Sequence, residues 1–238
     1  MKLLELFSGT HAMSDAFKAA GWQTYTVDWD PSTDADLHAN IGHLVLDDII
    51  KLCGGVPDVV WASPDCTTYS VAALGKHRRK GEKGDLVPVT EYALSCDLIN
   101  THVMNLINDL LEQGTRYYFI ENPRGAMRKM PWLEGIPRYT VTYCQYGETR
   151  MKPTDIWTNH PDPGFKPPCK NGDPCHVRAP RGARTGTQGI DGKLSRARIP
   201  QQLCEHIVRI CTPETSANFL DDHFIVAKLD KDGTIRRV

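Results

Sequence analysis

The sequence predicts an α/β fold, a mostly parallel sheet with helices between its strands and a small, basic, loop-rich insertion. Three observations predict it. Short apolar runs of strand length alternate with segments of helical periodicity up to about residue 157. The runs stop at Gly, Pro, Ser or acidic residues, the punctuation of strand-to-helix turns. From about 158 to 198 this alternation gives way to Pro, Gly, Lys and Arg. Strands that alternate with helices imply right-handed crossovers and therefore parallel neighbours.

Residues 2–7 (KLLELF) are apolar enough for a short buried strand, and Ser8-Gly9-Thr10 is the turn that follows. Ala12, Ala16, Phe17 and Ala20 recur at helical spacing, and Gly21 ends that helix. Trp22–Val27 is a second strand, closed by the acidic Asp28 and Asp30. Asp47–Leu52 makes a short helix or turn, and Val59–Trp61 is a buried strand that stops at Pro64. The longest helical pattern runs from Tyr92 to Gln113, with Leu98, Val103, Leu106, Ile107, Leu110 and Leu111 on or near one face and Gly114 behind it. Tyr117–Ile120 is another buried strand, ending at Glu121-Asn122-Pro123. Over residues 160–198, Lys166, Lys170, Arg178, Arg181, Arg184, Lys193, Arg196 and Arg198 outnumber Asp162, Asp173 and Asp191. Residues 199–211 return to a helical pattern, and FIVAKLDKDGTIRRV is patterned as a hairpin around Asp232-Gly233, an edge addition. The expected division is a catalytic part, 1–157 and 196–213, an insertion at 158–195, and a C-terminal extension at 214–238.

The composition narrows the function. With 238 residues, 40% hydrophobic and 24% charged, the chain has the material for one large domain with a packed core. A net charge of −1 excludes nucleic-acid binding by bulk positive charge, so any such binding uses local patches. No apolar run reaches membrane-spanning length, and the N-terminus has no cleavable leader pattern, so a soluble, cytoplasmic protein is expected. Eight scattered cysteines form no compact disulfide framework. In a reducing compartment they are thiols, metal ligands or catalysts.

Four strand ends carry reactive or ligand-binding residue types. Cys66 follows the run Val59–Trp61 and sits among Ser and Thr, whereas core cysteines sit inside apolar runs. That position, a loop at the end of a strand, is where α/β enzymes hold reactive groups. Phe7-Ser8-Gly9 opens a helix, where glycine admits a ligand to the backbone. Asp28 stands where nucleotide-binding α/β folds place a ribose-binding acid, with a solvated loop acid as the competing reading. Glu121 ends a buried strand, where desolvation raises a carboxyl pKa and makes an acid of it; a turn-capping role is the alternative.

LELFSGTHAMSDAF, VDWDP, SPDCTTYS, YFIENP, QYGETRMK and RIPQQLCEHI occur in the order found in the DNA cytosine-5 methyltransferases. The chain resembles that family over roughly residues 1–157 and 196–211, as a compact, phage-like member with a short target-recognition region. The resemblance implies a Rossmann-like, S-adenosylmethionine-dependent methyltransferase sheet, S-adenosylmethionine as cofactor and DNA as partner, with RNA or a free pyrimidine nucleotide as alternative substrates. A catalytically silent relative is the remaining alternative. It implies Cys66 as nucleophile towards carbon 6 of cytosine, Glu121 as the acid at the ring's N3 and amine, Asn122 as a brace for the Cys66 loop, and Arg150 as support for the pyrimidine and the thiolate. Lys152 stands where a second arginine is usual. Cofactor contacts are implied for Phe7, Ser8, Gly9, Thr10, Asp28, Trp29, Asp48 and Pro64. Substrate contacts are implied for Ser70, Lys76, Arg78, Arg79, Lys152, Arg181 and Arg184, those of residues 71–85 on a mobile basic loop that closes over DNA.

The chain also departs from the family. Asp65 precedes Cys66 where proline is usual. A carboxylate about 6–7 Å from sulfur, at an effective dielectric of about 20, disfavours the thiolate by roughly 2.5 kcal/mol. Asp65 is therefore expected to point away or to pair with a basic neighbour. His11 and Ala12 replace a glycine pair, and Pro123 stands where valine is common. The insertion contains Cys169, Cys175 and His176, which could bind zinc with Cys144 or His160 as fourth ligand. The spacing C-x5-C-H is no standard finger, and a loop of reduced thiols is the competing reading.

Overall fold

A computed structural model describes residues 1–82, 84–178 and 196–213, and the backbone of 227–229 and 235–237. In chain order the elements are β1 (Lys2–Leu6), α1 (Ala12–Ala19), β2 (Gln23–Asp28), β3 (Leu37–His38), α2 (Leu46–Cys53), β4 (Val59–Ala62), α3 (Leu74–His77), β5 (Arg78–Lys80), β6 (Leu86–Pro88), α4 (Glu91–Glu112), β7 (Tyr117–Pro123), β8 (Arg138–Thr142), β9 (Pro153–Thr158), α5 (Gln201–Cys211), β10 (Ala227–Leu229) and β11 (Ile235–Arg237).

Seven strands form the main sheet in the order β3-β2-β1-β4-β7-β9-β8. The first five in that order are parallel, and β9 enters antiparallel between β7 and β8. This is the Rossmann-like α/β sheet expected from the sequence. Chain order reverses between β1 and β4, so the crevice for a ligand lies above their carboxyl ends.

The period-2 pattern of the central strands divides the core. Leu4, Leu6, Val60, Ala62, Tyr118 and Ile120 face α2 and α4, while Leu3, Val59, Trp61 and Phe119 face α1 and α5. Both faces are covered, which explains why β4 is apolar throughout. Thr90 caps α4, its side chain accepting from Ala93 N–H. Of the apolar residues expected on the buried face of α4, Leu98 is instead 63% exposed, and Cys96, Asn100 and Met104 complete that face. Strand β7 extends through Glu121 and Asn122 to Pro123, because β9 pairs with it along that whole length. The segment 71–85, expected as an open loop, contains α3 and β5, and β5 pairs antiparallel with β6 just beyond it. Strands β10 and β11 pair antiparallel in a two-stranded sheet of their own, not on an edge of the main sheet. Among the described residues, no helix is long and apolar enough to cross a membrane.

Candidate active site

Parallel strands deliver their carboxyl ends to one edge. There β1 leads into Phe7-Ser8-Gly9, β2 ends at Asp28, β4 leads into Ser63-Pro64-Asp65-Cys66, and β7 carries Glu121 and Asn122 near its end. Because β9 runs the other way, its first residues arrive at this same edge, with Lys152 just ahead of it.

Cys66, Glu121 and Lys152 form one electrostatic cluster. Glu121 is 5% exposed, and its Oε1 accepts from the Tyr143 hydroxyl at 2.9 Å. Burial pushes the Glu121 carboxyl up, against the pull of Lys152 and of hydrogen bonds from Tyr143 and Ser63. The Cys66 thiol is also raised, first by burial, then by the negative charges of Glu121 and Asp65, with Lys152 acting in the opposite direction. Burial lowers Lys152, while Glu121 and Cys66 favour its charged form. The Lys152 ammonium donates to Arg196 O at 2.8 Å and stands 4.4 Å from the centre of the Tyr143 ring. Asn122 Nδ2 donates to Pro64 O at 2.8 Å, tying β7 to the Cys66 loop, and its Oδ1 is buried without a partner. Gly125 closes the same junction: a Cβ there would stand 2.5 Å from Tyr69 O.

Several expected positions are corrected. The cation acting on Cys66 and Glu121 is Lys152, not the half-exposed Arg150. Lys152 is 7% exposed and takes a left-handed φ of 28° at the entry to β9. Asp65 is held by its neighbours on the Cys66 loop and α4. Its Oδ1 accepts from Thr67 N–H at 2.6 Å and its Oδ2 from the Tyr92 hydroxyl at 2.9 Å, and it still raises the thiol. Asp48 is exposed and caps α2, accepting from Val45 N–H at 3.0 Å. Ser70 is half-buried, its hydroxyl accepting from Ala72 N–H at 3.3 Å. Arg181 and Arg184 lie outside the described residues.

Arg78 is the largest correction among the basic residues. Lys76, Arg79 and Lys80 are exposed, but Arg78 is 2% exposed. Its guanidinium pairs with Asp97 at 2.7 and 2.8 Å, lies 4.2 Å from the centre of the Tyr69 ring, and donates to Thr68 O and Oγ1. A bidentate fork inside the protein has no face left for a phosphate. Arg78 instead fixes the turn Thr67–Tyr69, directly after Cys66. Arg78→Ala is expected to lower the unfolding free energy of the nucleic-acid-free protein by about 3 kcal/mol, the cost of breaking a buried pair from one side. Denaturant unfolding checks this, because a phosphate-binding arginine would leave the free protein's stability unchanged.

The loop after β1 is tightly curled. Phe7, Gly9 and His11 all have positive φ, 59°, 43° and 56°. His11 thus occupies a position where glycine is the unstrained choice. The Ser8 hydroxyl and His11 Nε2 are buried without partners. Thr10 is half-buried beside them. Asp28 accepts from Gly9 N–H at 3.0 Å and Asp30 N–H at 2.9 Å, so the end of β2 holds the curl in place. Trp29 is 66% exposed, which removes the core-packing explanation and leaves an indole face open beside this loop.

No family model matches the chain. A curated relative, the "Probable DNA (cytosine-5)-methyltransferase" of Frog virus 3 (isolate Goorha), is 29% identical over 232 residues, covering 89% of this chain and all of the relative. Over nearly its whole length the chain is similar to this cytosine-5 methyltransferase. Among solved structures, it is similar to the S. pombe Dnmt2 methyltransferase (15% identity, TM-score 0.46, 66% of this chain and 48% of that one). It is likewise similar to the Entamoeba histolytica methyltransferase EhMeth (12% identity, TM-score 0.48, 66% and 52%). The chain therefore spans about half the length of these solved relatives.

The cofactor implied for a cytosine-5 methyltransferase is S-adenosylmethionine. The residues fit it. Two orphaned buried polar atoms, a curled loop with positive φ, a strand-end acid and an exposed indole together suit a nucleoside with a charged tail. Tyr143, Ser63 and Asp97 were not singled out from the sequence. Tyr143 had a weak signal, an aromatic directly after an alternating strand. Ser63 and Asp97 had none, because their partners are remote in the chain.

Proposed function

We propose that this protein methylates carbon 5 of cytosine in DNA through a transient bond between Cys66 and the base. The observation that carries this reading is the coupled cluster of Cys66, Glu121 and Lys152 at the carboxyl edge. The DNA substrate is taken from the name of the Frog virus 3 relative. Bound S-adenosylmethionine supplies a methyl group made electrophilic by its sulfonium, held by Phe7, Ser8, Gly9, Thr10, Asp28, Trp29 and Pro64.

The chemistry follows from where the protons sit. Two groups that can be anions face one buried cation, so the charge balances when one of the two keeps its proton. A thiol beside a carboxylate is the idle arrangement. A thiolate beside a carboxylic acid is the productive one. The Cys66 thiolate adds to carbon 6 while the Glu121 acid donates to N3, so carbon 5 becomes an enamine carbon able to attack an electrophile. Tyr143 and Ser63 orient the carboxyl group, and Lys152 steadies the negative charge of the sulfur. After methylation, carbon 5 loses its proton, the carbon–sulfur bond breaks, N3 returns its proton to Glu121, and the net proton is released to solvent. A duplex base must first leave the stack, which costs a few kcal/mol. Exposed Lys76, Arg79 and Lys80 are available to phosphates near the Cys66 loop.

The test is parallel incubation of the protein and methyl-labelled S-adenosylmethionine with DNA, RNA and free pyrimidine nucleotides. Label at carbon 5 of DNA cytosine is the expected result. Label confined to RNA or nucleotides overturns the DNA assignment, and label in none overturns the enzyme.

A further inference from the structure

Outside the active site, one cluster of side chains is without a role. Cys144, Cys169, Cys175 and His176 bring one ligand atom each to within 4.8 Å of one another. They come from two stretches of chain. Cys144 lies in the short turn Tyr143–Tyr146 between β8 and β9, and the other three lie in a segment without regular structure.

We propose that these four residues bind one zinc ion, which fastens the segment 165–178 to the turn that carries Tyr143. The distances support this. With Zn–S about 2.3 Å and Zn–N about 2.05 Å, tetrahedral geometry separates sulfurs by about 3.8 Å and sulfur from nitrogen by about 3.6 Å. Cys144 and Cys175 are 3.7 Å apart, and His176 Nδ1 is 3.7 Å from Cys169 and 3.5 Å from Cys175. Of these four separations, the Cys144–Cys169 one, 3.1 Å, must widen. Three thiolates and an imidazole form a soft, closed set that suits zinc rather than magnesium or calcium. Binding releases the three thiol protons to solvent.

The backbone is arranged to present these ligands. Cys169 N–H donates to Thr142 Oγ1 at 3.1 Å, anchoring one end beside Cys144. Lys170 and Asp173 then close a turn, through Lys170 N–H to Asp173 Oδ2 at 2.7 Å, that brings Cys175 and His176 back towards Cys169. Val177 N–H donates to Thr149 O at 2.8 Å and fixes the far end. Gln145 Nε2 donates to the Cys175 sulfur at 3.5 Å, a partner of the kind that supports a thiolate ligand. One contact must loosen: Gly172 N–H approaches His176 Nε2 at 3.3 Å, and Nε2 carries the proton once Nδ1 takes the metal. Of the two fourth ligands considered from the sequence, the structure selects Cys144. The ring of His160 lies against Tyr117, with its Nε2 3.2 Å from Ile210 O.

Beyond these hydrogen bonds the segment has little apolar support. Its apolar anchorage is Phe165 alone, since Val177 is 56% exposed. A zinc ion supplies the cross-link that a core would otherwise provide.

The experiment measures metal on the full chain, expressed with added zinc and purified under reducing conditions without chelator. One zinc per chain is expected, with an X-ray absorption spectrum showing a sulfur shell at about 2.3 Å and a nitrogen at about 2.05 Å. Cys175→Ser is expected to weaken zinc binding at least tenfold, and His160→Ala to keep the ion. Should the serine variant fail to fold, release of zinc from the intact chain by a mercurial, read with a colorimetric indicator, carries the test. Intact protein without stoichiometric metal, metal retained when Cys169 and Cys175 are both serine, or a Cys144–Cys169 disulfide in place of the metal overturns the proposal. None of these measurements depends on methyl transfer.

Discussion

Cys66→Ser is expected to abolish methyl transfer, by at least about a thousandfold, and to abolish the covalent complex with DNA containing 5-fluorocytosine. The reason is the nucleophile's chemistry. An alcohol ionises far above the range in which even a raised thiol does, and burial, Glu121 and Asp65 all press against an anion at this position. Fluorine at carbon 5 leaves no proton to remove after methylation, so the enzyme stops with its sulfur bonded to carbon 6. The complex is read as a slow band on a denaturing gel that requires both the fluorinated base and the methyl donor. The serine variant should lose this band while its binding of unmodified DNA changes little. A serine variant that methylates at the wild-type rate removes Cys66 from the mechanism.

Much of this was legible in the sequence, and the parts that were not have a common cause. Apart from β3, α3, β5 and β6, the order of strands and helices up to β7 follows from local periodicity, because each of these elements buries one face or both in a way that its own residues reveal. Strand β3 is two residues long, and β8 and β9 lie in a stretch rich in polar residues. Such strands exist because their neighbours complete them, and no pattern within them says so. Cys66, Glu121, Asn122 and Asp28 were visible because each directly follows or closes an apolar run. Arg78 was misplaced because a run of basic residues normally marks a solvated face, and only the position of Asp97 on α4 shows that one member turns inward. The prominence of Lys152 over Arg150 depends on which of the two is buried, to which residue spacing is blind. Cys144 belongs with Cys169 and Cys175 only after β8 has been folded beside them.

Glu121→Gln is expected to split two readouts that usually move together. Methyl transfer should fall by about a hundredfold to ten-thousandfold, because glutamine cannot give N3 a proton. Alkylation of Cys66 by iodoacetamide should become faster at the same pH. The sign follows from the cluster. The carboxylate of Glu121 is the second strongest influence raising the thiol, after burial, and a neutral amide removes it while Lys152 continues to favour the thiolate. A lower thiol pKa exposes more thiolate at any pH below it. Lys152→Met should act in the opposite direction and slow alkylation, since the cation that favours the thiolate is gone. The pH dependence of wild-type methylation has the same origin. Activity rises with pH as the Cys66–Glu121 pair loses its first proton and falls as it loses the second, and burial displaces both steps upward. Measuring the alkylation rate against pH for the three proteins decides the matter. Slower alkylation in Glu121→Gln would mean that the carboxyl group supports the sulfur rather than opposing it, and the division of labour between acid and nucleophile would have to be redrawn.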